Sequence, residues 1–402
     1  MRAAALIGIA SLIVACGEDP PRRAEPRTEP RAETPERPPT GGAIAGSGGC
    51  SLSEESLVAE GLAAPHAIAI AASDTATMVV ADRDDATLLA YGARVATGAR
   101  GIAIPIGGAD ELFGLEAIDG DRFVAITHAR CPEEIASTRC LVAVLIGSDG
   151  RPVGAPIPIG LGGPLRTVRV APGGDALYVA RSQARGAPEL DTIRAGESGL
   201  DARTLRLGDG FDLRDEQTEI LGVAVTGGSW AVLWRHGATE DATSGVVLST
   251  QLDEHEIDAL HDALVLESFQ WYAGALSMIA AFEFARPRFA RIGADGEIRG
   301  GLRELPVDQP LPSPFVSRNK AAILGSGESA TLEIRDGAGE RVGAIPFGDP
   351  SVLFADVARS GDRFVLAVAR RTETGVTLVT RESSCRAAPA STGEAPAAVS
   401  AP

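Results

Sequence analysis

The sequence lacks an excess of positive charge. Its 402 residues include 37 lysines and arginines against 54 aspartates and glutamates, which gives a formal net charge of −17. Such a chain repels the phosphates of nucleic acid and the surface of an anionic bilayer, so we exclude direct binding to either. Lysine and asparagine occur only as Lys320 and Asn319, and we interpret this scarcity as a nucleotide-composition bias without functional meaning.

Several enzyme signatures are also missing. The sequence contains no Gly-x-Ser-x-Gly nucleophile motif, phosphate-binding loop or dinucleotide fingerprint in a suitable context. The N-terminal apolar run, Ala3 to Ala15, is shorter than the roughly 20 residues that a membrane-spanning helix needs. These absences favour a protein that does not catalyse a reaction and that carries no spanning helix at its N-terminus.

What the sequence does contain is a repeat of short apolar strands and polar turns, from about His66 to Cys385. In the clearest unit, Phe113 to Ile159, the turn Asp119-Gly120-Asp121 separates the first two predicted strands and Ser148-Asp149-Gly150 the last two. Asp-Gly between apolar runs is a strong hairpin signal, because both turn positions tolerate positive φ. The pattern predicts an antiparallel unit of four strands.

Seven such units follow one another at a spacing of about 40–55 residues, which is the range expected of propeller blades. They start near His66, Phe113, Leu165, Ile220, Leu266, Ser313 and Val352. Two β-sandwiches in tandem are the alternative, but the same strand order repeats and no long linker divides the middle. The sequence therefore predicts an all-β fold, a β-propeller of seven four-stranded blades.

A propeller must also join its two ends. The run Ser56–Ala59 is strand-like and precedes the first unit, so we expect it to form the outer strand of the last blade beside Val376–Thr380. Cys50 lies just before the first run and Cys385 just after the second. We therefore expect closure by this N-terminal strand and by a Cys50–Cys385 disulfide.

The first 15 residues have the form of a signal peptide, with one charge at Arg2 before the apolar run. They lead into Ile13-Val14-Ala15-Cys16, which resembles the lipobox of bacterial lipoproteins. The resemblance implies cleavage before Cys16, lipidation of its sulfur and stable anchoring in the bacterial cell envelope through several acyl chains. In that family an aspartate after the cysteine favours the inner membrane, so Gly17 implies the outer one. An ordinary secretory peptide with a chance cysteine is the alternative.

Composition divides the remaining chain. Residues 16–49 are rich in Pro, Glu, Arg, Ala and Thr and cannot bury enough apolar surface to fold, so we expect a disordered tether. A proline-rich docking ligand is the alternative. Residues 50–385 are the predicted propeller domain, and the Ala/Pro/Ser-rich residues 386–402 a disordered tail.

Four cysteines remain after Cys16, and an even number in an exported chain favours disulfides. Cys131 and Cys140 flank a loop between two apolar strands, a spacing that suits a cross-strand bridge. Metal ligation and redox chemistry are the alternatives. No Cys-x-x-Cys occurs and only His128 lies nearby, so we favour the disulfide.

His66, Glu116 and Arg166 are candidate catalytic residues, since we place them at the start of first strands. First strands line the central channel of a propeller, so these side chains would meet near its mouth. A His–Glu–Arg group can transfer protons. Without a nucleophile motif, a polar channel lining is the favoured interpretation.

Clustered carboxylates make Asp82, Asp84 and Asp85 candidate Ca²⁺ ligands in a hairpin loop. The run Val79–Tyr91, which contains them, resembles one blade of the NHL or YVTN propeller families, most of whose members bind partners. The spacing matches no known calcium loop, so we predict no cofactor. In the charged segment Asp253–His261, two histidines six residues apart do not share a helical face, which favours a solvated loop or short helix over a zinc site.

These observations predict a monomeric envelope lipoprotein whose propeller binds a protein or an envelope component without catalysis. The alternative is a propeller hydrolase or lyase that acts at the central channel. The lining of the channel mouth discriminates between them. Histidines and carboxylates that converge at one mouth favour the enzyme, whereas alanine, glycine and serine favour the binding protein.

Overall fold

The computed structural model describes residues 44–385 with interruptions in the connecting segments. The segments outside the description are 84–86, 93–101, 105–110, 132–134, 136–138, 161–164, 184–186, 208–217, 227–228, 237–242, 249–253, 257–262, 273–274, 283–287, 293–297, 305–315, 319–320, 325–326, 336–340 and 361–362. The described residues form β-strands and one 3-10 turn, Gly327–Ser329. No helix among them is long and apolar enough to cross a membrane.

Three strands precede the blades, namely β1 (Ile44–Ala45), β2 (Cys50–Leu52) and β3 (Ser56–Leu62). Blade 1 comprises β4 (Ile68–Ala72), β5 (Thr77–Arg83), β6 (Thr87–Gly92) and β7 (Ile102–Ile104). Blade 2 comprises β8 (Glu111–Ala117), β9 (Arg122–Arg130), β10 (Arg139–Gly147) and β11 (Ile157–Gly160). Blade 3 comprises β12 (Leu165–Gly173), β13 (Ala176–Gln183), β14 (Glu189–Ala195) and β15 (Leu200–Arg206).

Blade 4 comprises β16 (Thr218–Thr226), β17 (Ser229–His236), β18 (Thr243–Leu248) and β19 (Glu254–Glu256). Blade 5 comprises β20 (Ala263–Tyr272), β21 (Ala275–Phe282), β22 (Arg288–Ile292) and β23 (Ile298–Glu304). Blade 6 comprises β24 (Val316–Arg318), β25 (Ala321–Leu324), β26 (Thr331–Arg335) and β27 (Arg341–Pro346). Blade 7 comprises β28 (Val352–Ser360), β29 (Arg363–Thr372) and β30 (Gly375–Cys385), and β3 is its fourth strand.

Burial explains why the middle strands have nearly continuous apolar sequences. Both faces of such a strand are covered by neighbouring blades, so β9 and β13 are buried along almost their whole length. Outer strands keep solvent on one side, and β15 is largely exposed. Apolar clusters fill the interfaces between blades 1 and 2, 2 and 3, 3 and 4, 6 and 7, and 7 and 1.

The first strand of each blade, which we call the inner strand, lies next to the inner strand of the following blade. The inner strand of blade 7, β28, lies next to β4 of blade 1 and so closes the ring. Side-chain oxygens join them directly at two interfaces. The N–H of Ile70 donates to Asp356 Oδ2 at 2.7 Å between blades 1 and 7, and the N–H of Ile220 donates to Thr167 Oγ1 at 2.7 Å between blades 4 and 3. The ring confirms the predicted β-propeller of seven four-stranded blades.

The predicted closure is also confirmed. In blade 7, Ser56 pairs with Thr380 and Leu57 with Val379, so β3 is the outer strand. Cys50 pairs with Cys385 and forms a disulfide with it across a sequence separation of 335 residues. The N-terminal strand and this cross-link therefore join the first and last parts of the domain.

The antiparallel order gives the ring two distinct rims. In each blade the fourth strand runs antiparallel to the first. It therefore ends at the rim where the inner strand of the next blade begins, so all inner strands start at the same rim. We call this the upper rim and the opposite one the lower rim. Cys385 ends the third strand of blade 7 and therefore lies at the lower rim.

Candidate active site at the upper rim

Blade 4 brings a carboxylate, a guanidinium and an imidazole to the upper rim. The first two residues of β16 pair with the last two of β17, Thr218 with His236 and Glu219 with Arg235. Arg235 Nη2 donates to Glu219 Oε2 at 2.6 Å, and 15% of the Arg235 side chain and 35% of the Glu219 side chain are exposed. Thr218 Oγ1 and His236 Nδ1 share a hydrogen bond of 3.0 Å. The four side chains are therefore ordered while Glu219 stays accessible to solvent.

Arg169 lies between the inner strands of blades 3 and 4. Its Nε donates to the carbonyl oxygen of Leu221 and its Nη1 to that of Val168, each at 3.0 Å. The side chain keeps contact with solvent, but the protein around it lowers the pKa of the guanidinium by desolvation, and the negative charge of Glu219 opposes that shift. A guanidinium stays protonated in proteins, so Arg169 is a fixed positive charge beside Glu219.

Blade 2 presents an acid–imidazole pair at the same rim. Glu111, the first residue of β8, lies opposite His128 in β9, and facing residues of antiparallel strands have Cβ atoms about 4.5–5.5 Å apart. Glu111 is exposed and His128 half-buried. The disulfide between Cys131 and Cys140, confirmed with a Cα–Cα distance of 5.0 Å, links the residue after β9 to the second residue of β10.

Blade 3, between these two, carries a buried charged group. Arg181 Nε donates to Asp191 Oδ2 at 2.7 Å, and Arg181 also pairs with Glu189. Burial raises the pKa of Asp191, although the charge and hydrogen bond of Arg181 act in the opposite direction. Asp191 is fully buried and so cannot touch a ligand, which makes this group a structural support for the rim.

The arrangement can bind and transfer protons. Carboxylates and imidazoles are the usual proton donors and acceptors in proteins, and fixed guanidinium groups stabilise negative charge that develops on a substrate. No group of three histidine, cysteine, aspartate or glutamate side chains in the described part of the chain is placed to hold a metal ion. Successive residues of a strand point to opposite faces, so the Glu219–Arg235 pair and the Thr218–His236 pair lie on opposite faces of blade 4 at this rim.

The predicted catalytic residues are placed differently. His66 is exposed just before β4, at the upper rim, and Arg166 is the second residue of β12, with its side chain outside the description. Glu116, however, is the sixth residue of β8, about 16 Å beyond Glu111 along the strand. The expectation that Glu116 begins an inner strand is therefore wrong, and it lies towards the lower rim.

The site residues that the sequence analysis did not identify lie one or two positions away from a strand boundary that it predicted. The fourth unit was expected to start near Ile220, but β16 begins at Thr218 and so includes Glu219. His236 ends the second strand of the same blade. A search for polar residues at both the first and the last positions of paired strands would have found them.

Asp82 has a structural role. Its Oδ1 accepts hydrogen bonds from the N–H groups of His66 at 2.7 Å and Ala67 at 2.6 Å, which fixes the turn into blade 1. Asp84 and Asp85 lie outside the described residues. His255 lies in β19, the fourth strand of blade 4, rather than in a loop or helix, and His261 lies outside the description.

Comparisons with known proteins add a likeness in fold. No family model and no curated protein matches the sequence. The Trypanosoma rangeli sialidase structure is 13% identical over 70% of this chain and 55% of its own, with a TM-score of 0.43. A prolyl endopeptidase structure is 13% identical over 78% of this chain and 46% of its own, with a TM-score of 0.47.

A subtype N10 neuraminidase-like protein of A/little yellow-shouldered bat/Guatemala is 11% identical over 83% of this chain and 100% of its own, with a TM-score of 0.37. This chain spans 55% of the length of the sialidase. At these identities the likeness shows the fold alone.

These comparisons correct one expectation from the sequence. The predicted function was a non-catalytic propeller that binds a protein or an envelope component. The sialidase structures that share this fold are those of enzymes, so this expectation is corrected, although the likeness by itself assigns no activity to this chain. We therefore do not retain the non-catalytic interpretation.

Proposed function

We propose that this protein is an enzyme of the cell envelope, a hydrolase or lyase whose active site is the upper rim of blades 2 to 4. The observation that carries the proposal is the accessible carboxylate of Glu219, which lies beside the fixed positive charges of Arg235 and Arg169. His236, held by Thr218, lies on the opposite face of the same strand pair. The pair Glu111 and His128 extends this group on blade 2.

The contacts assign a role to each side chain. Thr218 holds Nδ1 of His236, which leaves Nε2 as the nitrogen that exchanges a proton with the substrate. Glu219 acts as the second proton-transfer group, and Arg235 holds it in place. Arg169, tied to two backbone carbonyls, stabilises negative charge that develops on the substrate.

The location is part of the same proposal. Lipidation of Cys16 anchors the chain, by preference in the outer membrane, and residues 16–49 form the tether. Support comes from where the described chain begins and ends. Cys385 lies at the lower rim, and Ile44 pairs with Leu52, only two residues along β2 from Cys50. The described chain therefore begins and ends in the lower half of the ring.

Activity is tested on the full chain, purified in detergent and assayed against fluorogenic esters, glycosides and peptides and against envelope extract. Glu219→Gln and His236→Gln are each expected to lower kcat/KM at least about 100-fold, the usual contribution of a proton-transfer group. The control is Asp175→Asn, which removes an exposed carboxylate, 84% of it accessible, at the lower-rim turn between β12 and β13. An unchanged rate in both upper-rim variants would refute the assigned site.

Anchoring is tested by metabolic labelling with radioactive palmitate. The wild-type protein is expected to incorporate label and to sediment with membranes, whereas Cys16→Ser should do neither. This variant leaves both disulfides intact, so a folding defect does not confound the result. An unlabelled wild-type protein would contradict the proposed anchor while leaving the proposed active site untouched.

A further inference from the structure

Two arginines face each other at the upper end of blade 2. Arg130, the last residue of β9, pairs directly with Arg139, the first residue of β10. Facing residues of antiparallel strands have Cβ atoms about 4.5–5.5 Å apart, and like charges in this position destabilise the pairing. Arg130 is exposed, and no residue in the described part of the chain forms an ion pair with it. The strand pairing therefore places two positive charges side by side at an accessible point of the rim.

A disulfide keeps these two charges together. Cys131 follows Arg130 and Cys140 follows Arg139, and the two cysteines are bonded to each other. Both cysteines are buried and belong to the apolar cluster between blades 1 and 2. The bond holds the strand ends together against the repulsion of the arginines and fixes their spacing before a ligand arrives. Such preorganisation lowers the entropic cost of binding.

The alternation of side chains along the strands directs the arginines away from that cluster and towards blade 3. Successive residues point to opposite faces, so Arg130 shares a face with His128 and Arg139 shares it with Leu141. Leu141 belongs to the apolar cluster between blades 2 and 3. Glu111 lies opposite His128 and therefore one row below the arginines on this face.

Blade 3 presents two carboxylates towards this face of blade 2, and both are already paired. Arg181 forms ion pairs with Glu189 and with Asp191, and the Arg181 guanidinium lies against Gly160 of blade 2. The negative charges of blade 3 are therefore compensated by an arginine of their own blade.

The charge and the geometry of two facing guanidinium groups suit a phosphate group. A phosphate monoester carries about 1.5 to 2 negative charges at pH 7 and offers three terminal oxygens as acceptors. A guanidinium donates two parallel hydrogen bonds to such oxygens, so two guanidinium groups can hold one phosphate from both sides. A carboxylate has one charge and two oxygens, which a single guanidinium satisfies. Because Arg130 is exposed, the substituent of an esterified phosphate can extend into solvent.

We propose that Arg130 and Arg139 bind the phosphate group of a small phosphate monoester at the upper rim of blade 2. The Cys131–Cys140 disulfide is the support that positions them. The site lies beside the pair Glu111 and His128 but does not depend on the proposed activity, because its binding is measured without turnover.

The test measures the binding of glycerol phosphate to the full chain in detergent, by isothermal titration calorimetry at constant ionic strength. We expect a Kd of about 1 mM or tighter, which lies within the efficiency limit for a ligand of this size. Glycerate, the carboxylate counterpart, should bind at least about tenfold more weakly, because one charge and two oxygens cannot engage both guanidinium groups. Inorganic phosphate should bind within about threefold of glycerol phosphate, because it presents the same group.

Arg130→Gln should weaken the binding of glycerol phosphate at least about tenfold, because it removes one of the two charged donors. Its side chain is exposed, so the variant should keep the fold. The matched control is Arg151→Gln in the lower-rim hairpin of the same blade, where 76% of the arginine side chain is exposed. It changes the net charge equally and should leave the Kd unchanged within about twofold.

Replacing Cys131 and Cys140 with serine should weaken binding at least about threefold, because the two arginines are then no longer held in position. Undiminished binding in this double variant would refute the positioning role of the disulfide. The absence of glycerol phosphate binding, equal binding of glycerate, or equal losses in Arg130→Gln and Arg151→Gln would overturn the site itself. Inorganic phosphate that binds at least about tenfold more tightly than glycerol phosphate would assign the site to the free ion and overturn the monoester.

Discussion

The ring closes in blade 7, where residues from the start of the domain contact β29 and β30, and we call this closure the seam. The seam and the upper rim of blade 4 both pair glutamate with arginine, but in different ways. At the seam, Glu55 binds Arg370 and Arg381, which lie 315 and 326 residues away, and only 15% of the Glu55 side chain is exposed. At the rim, Glu219 binds Arg235, 16 residues away on the adjacent strand, and 35% of its side chain is exposed. The seam uses charge to hold distant parts of the chain together, whereas the rim keeps its carboxylate within reach of a ligand.

A substitution of Glu55 at the seam should reduce stability, because it removes the negative charge that Arg370 and Arg381 share in a mostly buried place. The same substitution at the rim should reduce activity and leave stability nearly unchanged, because the pair is local and partly solvated.

The largest effect is expected from the closing disulfide. Replacing Cys50 and Cys385 with serine should lower the free energy of unfolding by about 5 kcal/mol, and replacing Cys131 and Cys140 by about 3 kcal/mol, on the chain-entropy model. The difference arises because the first bond closes a separation of 335 residues and the second one of 9. Urea unfolding of the two double variants measures both values. A larger loss of unfolding free energy on removal of the Cys131–Cys140 bond would contradict the prediction that the closing disulfide stabilises the protein more.

The next effect concerns Glu55. Glu55→Gln should lower the free energy of unfolding by about 3 kcal/mol, because it removes the negative charge beside Arg381, whose side chain is only 2% exposed. The matched control is Glu382→Gln in the same blade, whose pair with Arg363 is exposed (54% and 60%), and it should cost less than about 1 kcal/mol. Similar costs in urea unfolding would remove the distinction between seam and surface pairs.

The smallest effect is a pH dependence in the buried group of blade 3. Burial raises the folded-state pKa of Asp191 above its ordinary value of 3.8. Its contribution to stability is therefore complete below that value and is lost as the pH rises through the folded pKa. The variant Asp191→Asn has no titrating group at this position. The difference in free energy of unfolding between the wild-type protein and this variant should fall as the pH rises from the ordinary pKa to the folded-state pKa of Asp191, and should then stay constant. A wild-type protein that gains relative stability over the same range would contradict the assignment.

Much of the fold could be predicted from the sequence because it follows local signals. Asp-Gly turns and apolar runs predict hairpins, and Gly150, with a φ of 83°, has the conformation that the turn after β10 requires. The closure could be predicted because two cysteines flank two strand-like runs. Each of these signals lies within a few residues of the feature that it predicts.

The candidate site could be predicted less well, because it depends on where strands begin. The sequence places the start of this strand near Ile220, whose side chain cannot transfer a proton. In the structure β16 begins two residues earlier and so includes Glu219, whose side chain can. Glu116 was misplaced for the same reason, since β8 begins at Glu111. Strand boundaries set which side chains reach the rim, and hydrophobic patterning locates them only to within a few residues.

The most direct test compares Glu55→Gln with Glu219→Gln in two readouts. They are the free energy of unfolding and the kcat/KM for the substrate that the wild-type protein turns over in the assay of the proposed activity. The account predicts that Glu55→Gln lowers stability by about 3 kcal/mol and preserves turnover below its unfolding transition. It predicts that Glu219→Gln lowers turnover at least about 100-fold and changes stability by less than about 1 kcal/mol. Loss of stability without loss of turnover in Glu219→Gln would contradict it.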